Sequence, residues 1–358
     1  MFLFYALILI PALFSVLYYF YQEDIYRKIS IASFFVILFF TLSLRHVTVG
    51  TDLRNYLNMF HTFGNLPWRT FLGAEGLKGE VGYRFLNKVL YSLTKDYQFF
   101  LTVVAFITLF PIAKLYFDES KSPLLTLVIF VSMSTFVMLF SGLRQAIAIS
   151  IGVFALYFTR KKRFFEFLAM VALAFSFHQS ALILLFIYPV YHLKLNRQSL
   201  FIVSPMAALV SVFNRPIFNF LLRFVGERYY DRYGQIREMN AYGMIVLFVL
   251  FTIFVFVVED EDELTDLTKG LRNILILATF LQLFAPIHTV AMRFNYYFII
   301  FIPLLIGNIV KESDKKAKGF ATSGAVAINL FFVSYYYYQI GLGKLALNVL
   351  PYKFFWQY

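Results

Sequence analysis

The sequence predicts an all-α, polytopic integral membrane protein of about twelve transmembrane helices, and three observations carry that prediction. Hydrophobic residues make up 60% of the 358 residues and charged residues only 15%, where a soluble domain carries about 25% charged. Apolar runs recur along the chain at roughly the 20-residue length that spans a hydrocarbon core as a helix. These runs lack the alternation of a lipid-facing barrel strand, so helices are left to satisfy the backbone in lipid.

The spans fall near 2–21, 29–44, 97–117, 123–140, 143–159, 164–177, 179–191, 199–213, 242–258, 271–289, 294–310 and 319–340. The chain, 1–358, reads as a single transmembrane domain. The run from Phe2 to Tyr21 has no Lys or Arg ahead of it and no small-residue cleavage pattern, so it reads as a retained span. Phe164–Phe177 and Gln179–Tyr191 are each too short to cross alone. They read as a pair of short hairpin helices whose tip, Ser176-Phe177-His178-Gln179-Ser180, stops within the membrane, with one long tilted span as the alternative. Two connections are long, 46–96 with amphipathic helices and 214–241.

Orientation follows from Lys and Arg in the short loops. Arg27–Lys28, Lys121, Arg160 to Arg163, Lys194 with Arg197, and Lys311 to Lys318 fall on one side, assigned to the cytoplasm. Both long loops and both termini then face outward, and most of the net charge of +12 lies there. An outward face rich in arginine suits an anionic ligand. The acidic run Glu259-Asp260-Glu261-Asp262-Glu263 falls on the inner side and reads as a solvated loop.

Several clusters could carry chemistry. Arg45-His46-Val47-Thr48-Val49-Gly50-Thr51-Asp52 follows the second span and leads to Tyr56. Arg45 reads equally as an arginine snorkelling to the interface, and Thr51 or Asp52 as a helix N-cap. As a site, this loop folds back over a cavity and presents Arg45 and Asp52 into it. Glu80-Val81-Gly82-Tyr83-Arg84 opens an amphipathic stretch with Tyr83, Leu86, Val89 and Leu90 on one face, which also fits an interfacial helix. Glu80 is one of few outward carboxylates and a candidate base.

Ser141-Gly142-Leu143-Arg144-Gln145 breaks two apolar runs. Ser141 can cap the next helix, which puts Arg144 in its first turn. A cation beside the positive end of a helix dipole is unfavourable, and makes more sense when an anion shares the site. Guanidinium binds phosphate oxygens in bidentate fashion. His178, at the hairpin tip, reads either as a packed residue or as a functional ionisable group at membrane depth. Arg293 lies in a short outward turn, 286–293. The stretch 227–233, with Tyr230 and Arg232, mixes aromatics and arginines as a sugar-stacking surface or a membrane interface does.

The chain has no cysteine, which excludes disulfides and thiolate metal sites. It carries no P-loop, dinucleotide fingerprint, HExxH or nucleophile elbow. No metal and no cofactor is expected, and nucleic acid is not an expected partner because the basic residues face outward.

In order and spacing, four motifs resemble the EpsG/Wzy-type polysaccharide polymerases of bacterial envelopes. They are Arg45…Val49-Gly50-Thr51-Asp52…Tyr56, Glu80-x-Gly82-Tyr83…Asn87, Ser141-Gly142-x-Arg144-Gln145 and Phe177-His178-x-Ser180-Ala181-Leu182. The resemblance covers the first half of the chain, and the second half is similar in hydropathy only. His46 stands where an aromatic often follows the arginine. The resemblance implies a C-type glycosyltransferase (GT-C) fold in the bacterial cytoplasmic (inner) membrane, with its site on the periplasmic face. The implied reaction joins oligosaccharide repeat units carried on undecaprenyl pyrophosphate, passing the growing chain to a new lipid-linked unit without a nucleotide sugar. Partners would be that lipid-linked oligosaccharide, membrane lipids and a chain-length regulator protein.

Such a reaction needs cations at the leaving pyrophosphate and a base for the acceptor hydroxyl. Arg144, Arg293 and Arg45 are expected at the pyrophosphate, with Gln145, Tyr56, Tyr83, Tyr230 and Arg232 lining the substrate. His178, Asp52 and Glu80, in falling order, are the expected bases. An O-antigen ligase, a membrane acyltransferase and a lipid-linked oligosaccharide flippase or transporter are the rival readings.

Overall fold

The computed structural model describes residues 2–73, 79–225, 241–287, 289–313 and 316–357. Among them all regular structure is helical, and only two isolated β-bridges occur, Arg45 with Phe354 and Glu259 with Ser313. The chain divides into two compact units, 1–182 with 327–358, and 183–326.

The first unit begins with α1 (Phe2–Tyr21) packed on α2 (Asp24–Ser43). Lipid offers no hydrophobic drive to pair them, so small polar residues supply specificity. Ser15 Oγ lies 2.7 Å from Ser30 Oγ, which donates to Pro11 O at 2.8 Å. The connection to the next long helix folds as α3 (Leu53–Asn65), α4 (Trp68–Gly73) and α5 (Val81–Leu93). Amphipathic α3 and α5 pack together and onto α6 (Tyr97–Glu119) through Phe60, Tyr83 and Phe100. The buried ammonium of Lys88 closes the end of α3 by donating to Gly64 O and Leu66 O at 2.7 and 2.5 Å. On α5 the buried face holds Asn87 and Lys88 beside Tyr83 and Leu90, so it is more polar than an interfacial helix requires.

The run expected as one span near 123–140 is two helices, α7 (Pro123–Ser132) and α8 (Ser134–Ser141), meeting at a 57° bend. Met133 takes an extended conformation there. Then come α9 (Leu143–Arg160) and α10 (Phe164–Phe177), which pack on each other. The helix ends at His178, and Gln179–Phe186 continues as a 3₁₀-helix.

The second unit holds α11 (Ile187–Tyr191), α12 (Leu200–Val212), α13 (Asn214–Val225), α14 (Tyr242–Val258), α15 (Asp266–Gln282), α16 (Thr289–Ile299) and α17 (Ile302–Ile309). α18 (Lys318–Gly341) begins in this unit and runs into the first. The span expected near 294–310 is bent by 43° between Ala291–Ile299 and Ile302–Ile309. Pro303 sits in the first turn after the break, where its ring excludes the carbonyl four residues back. Arg293 therefore lies inside a helix rather than in a turn.

The acidic run is solvated at Asp262 and Glu263, which are exposed, but not at its first residue. Glu259 is 1% exposed and Arg272 of α15 is 2% exposed. The Arg272 guanidinium donates to Glu259 Oε2 at 2.6 Å, to Glu261 Oε1 at 2.5 Å and to Leu195 O. Burial of Glu259 holds its carboxyl above the ordinary range. Breaking such a pair leaves an uncompensated buried charge, so Arg272→Ala is expected to cost about 3–5 kcal/mol, measured as lost thermal stability of the detergent-solubilised protein.

Three helices are long and apolar enough to cross a membrane, Phe2–Tyr21, Asp24–Ser43 and Tyr97–Glu119. Counting each bent pair as one span raises the number to six, and 164–177, 179–191 and 242–258 are shorter apolar helices. The chain is a helical membrane protein with three to six candidate spans among its described residues.

Candidate active site

Two glycines and a serine build the site from distant parts of the first unit. Gly50 takes φ +107°, and a Cβ on it would lie 2.3 Å from Phe140 O. Only glycine lets the 45–52 loop come this close to the end of α8. There Thr51 N–H donates to Ser141 Oγ at 2.7 Å, with the two hydroxyls 3.0 Å apart. Ser141 thus serves the loop instead of capping α9, whose N-cap is Gly142. The first turn of α9 is left without a side-chain cap. Gly50→Ala is expected to cost about 2 kcal/mol or more, readable as a lower melting temperature in detergent.

Arg144 stands in that first turn. Its Nη1 pairs with Glu80 Oε2 at 2.5 Å, joining residues 64 apart in sequence. The guanidinium is 29% exposed and the carboxylate 13%. Arg144 also hydrogen-bonds to the Tyr56 hydroxyl, while its Nε has no hydrogen-bond partner among the described residues. Tyr56 meets Tyr83 edge-on at 5.6 Å. Burial keeps both phenols above the usual tyrosine range, so both stay protonated and able to donate. Gln145, the next residue, is buried.

Asp52 is the N-cap residue of α3, yet its side chain makes no cap hydrogen bond. It forms no ion pair among the described residues and is close enough to Tyr56 to act on it electrostatically. Glu80 is committed to Arg144. His178 ends α10, with Nδ1 2.6 Å from Ser180 Oγ. The Ser180 N–H donates to the same nitrogen at 3.3 Å, so neutral His178 carries its proton on Nε2. α5 brings its glycine against this region, since a Cβ on Gly82 would lie 2.3 Å from Ser176 Oγ. The three carboxylate and imidazole groups thus differ, and among the described residues Asp52 is the one whose carboxylate oxygens have no partner.

Arg45 lies on the loop docked by Gly50 and Thr51, but its guanidinium turns back. Nη1 donates to Leu42 O at 2.6 Å, and the group sits over Phe140 at 5.7 Å. It is 2% exposed, and burial pulls its pKa down to about 10. Arg293 is exposed on α16 of the second unit. Tyr230 and Arg232 lie outside the described residues. No group of three His, Asp or Glu among the described residues is placed to hold a metal ion.

Sequence reasoning missed the residues after α18. His46 N–H donates to Lys353 O, Phe355 N–H to Leu44 O and Gly50 N–H to Asn348 O, at 2.8, 2.9 and 3.0 Å. Tyr352 Oη donates to Thr41 O at 3.0 Å. The aromatic run Tyr352-Lys353-Phe354-Phe355-Trp356 was the signal available.

A family model, the EpsG family, matches residues 28–354. The chain belongs to the EpsG family. That is a family of polysaccharide polymerases, and the match extends through α11 to α18 and the residues after them, where no motif was read. Three of the four motifs read in the sequence meet around Arg144 and Ser141, and the second of them also lies against Ser176, just ahead of the fourth. No curated protein and no solved structure matches the chain.

Proposed function

We propose that this EpsG-family chain is a glycosyltransferase that polymerises lipid-linked oligosaccharide repeat units on the outward, periplasmic face of the bacterial inner membrane. In this reading its short and broken helices belong to a GT-C-like bundle of about twelve membrane segments. The observation that carries the reading is the convergence of Arg144, Glu80, Tyr56 and Asp52 from three separated motifs.

The donor is the growing chain on undecaprenyl pyrophosphate, and the acceptor is a hydroxyl of a new lipid-linked unit. The bond from the anomeric carbon to the diphosphate oxygen breaks, and a bond from that carbon to the acceptor oxygen forms. The leaving diphosphate gathers negative charge, which fixed donors stabilise without reorganising. Arg144 supplies its free N–H edge, held in place by Glu80, with the Tyr56 hydroxyl beside it. Asp52 takes the acceptor's proton. His178, with Nε2–H as donor, serves the sugar or the diphosphate rather than the proton transfer. This reading uses residues of the first unit alone.

Reconstitution tests it. The purified chain in lipid nanodiscs, given a synthetic undecaprenyl diphosphate oligosaccharide and no nucleotide sugar, is expected to yield a ladder of polymer. Transfer of single units to a lipid-core acceptor without any ladder would point to a ligase and overturn the reading.

A further inference from the structure

The two arginines nearest the site differ in one respect that decides their roles. Arg144 is compensated by Glu80. Arg45 has no carboxylate partner among the described residues, is 2% exposed, and leaves Nε without a hydrogen bond. Among the described residues its side chain donates one hydrogen bond, to Leu42 O near the end of α2, a use that occupies one of five guanidinium donors. Burying an unpaired cation is unfavourable, and an anion arriving there removes the penalty. A polymerase handles two lipid-linked substrates, and each carries a diphosphate.

Over Arg45 lies the segment 346–357. It is held by the hydrogen bonds to Leu44, His46 and Gly50, and by the bridge between Arg45 and Phe354. Phe354 stacks on Trp356 at 4.5 Å. We propose that Arg45 is a second diphosphate subsite, serving the other lipid-linked substrate, and that the segment 346–357 is the strap that lifts to admit it. This rests on the polymerase reading above.

The strap carries its own reporter. Lys353 is exposed, but the peptide bond that follows it lies between two backbone hydrogen bonds, from His46 N–H to Lys353 O and from Phe355 N–H to Leu44 O. Trypsin needs that bond unpaired, so cleavage there reads the lifted state. In the full chain in detergent, inorganic pyrophosphate is expected to accelerate, saturably, the release of the peptide beginning at Phe354, followed by mass spectrometry. Arg45→Gln is expected to abolish that response. Phe354→Ala keeps the arginine and loosens the strap, so it is expected to raise basal release and tighten pyrophosphate binding. An unchanged wild-type release rate with pyrophosphate overturns the proposal, as does an Arg45→Gln chain that responds like the wild type. Arg144→Lys is expected to keep the release response. A chain that shows the response yet makes no ladder on reconstitution overturns the polymerase reading and leaves the anion subsite standing.

Discussion

Arg144→Lys is expected to lower polymerisation by about 100-fold or more, the loss typical when one donor aimed at developing charge is removed. The substitution keeps the positive charge, so net electrostatics at the head of α9 do not change. What it removes is the fork. Arg144 holds Glu80 with Nη1 and reaches Tyr56, and it still has Nε without a hydrogen-bond partner. A lysine ammonium is a single point of three donors on a flexible stem and cannot hold Glu80 while presenting a flat edge to two phosphate oxygens. The measurement is the ladder of cell-surface polysaccharide, with the variant's protein level checked by immunoblot. A normal ladder at normal level would remove Arg144 from the site.

Asp52→Asn is expected to be the second severe loss, about 10²–10⁴-fold in the rate of chain extension, as for removal of a general base. The change is isosteric. The Asp52 side chain caps nothing and pairs with nothing among the described residues, so the melting temperature should hold while activity falls. His178→Asn provides the contrast. Nδ1 of His178 is already engaged by Ser180, so on the proposed assignment of the base to Asp52 its loss is expected to be the smaller of the two. Equal or greater loss from His178→Asn, measured on the reconstituted enzyme, would return the base to the histidine.

Hydropathy made α1, α2, α6 and α14 legible, because an uninterrupted apolar run has one solution in lipid. It failed at Met133, where the run continues but the helix does not. The motifs were legible for local reasons: Ser141-Gly142 interrupts an apolar stretch, and Glu80 precedes an amphipathic one. Their partners were not. That Arg144 meets Glu80 and Thr51 meets Ser141 depends on packing between segments 64 and 90 residues apart. For the same reason Ser141 looked like a cap, since nothing local announces that its oxygen is taken. Glu259 looked solvated because five acidic residues in a row do so, whereas Arg272, thirteen residues on, draws it inside. Backbone pairing after α18 leaves no mark in any window of composition.

The bond between Tyr352 and Thr41 joins residues 311 apart. During synthesis the Arg45 loop emerges long before the segment that covers it has been translated, and closing so long a loop is slow. A ribosome-bound intermediate that has not reached residue 346 holds a guanidinium with neither cover nor counter-charge. The cover over Arg45 therefore forms only once two segments about 300 residues apart have met.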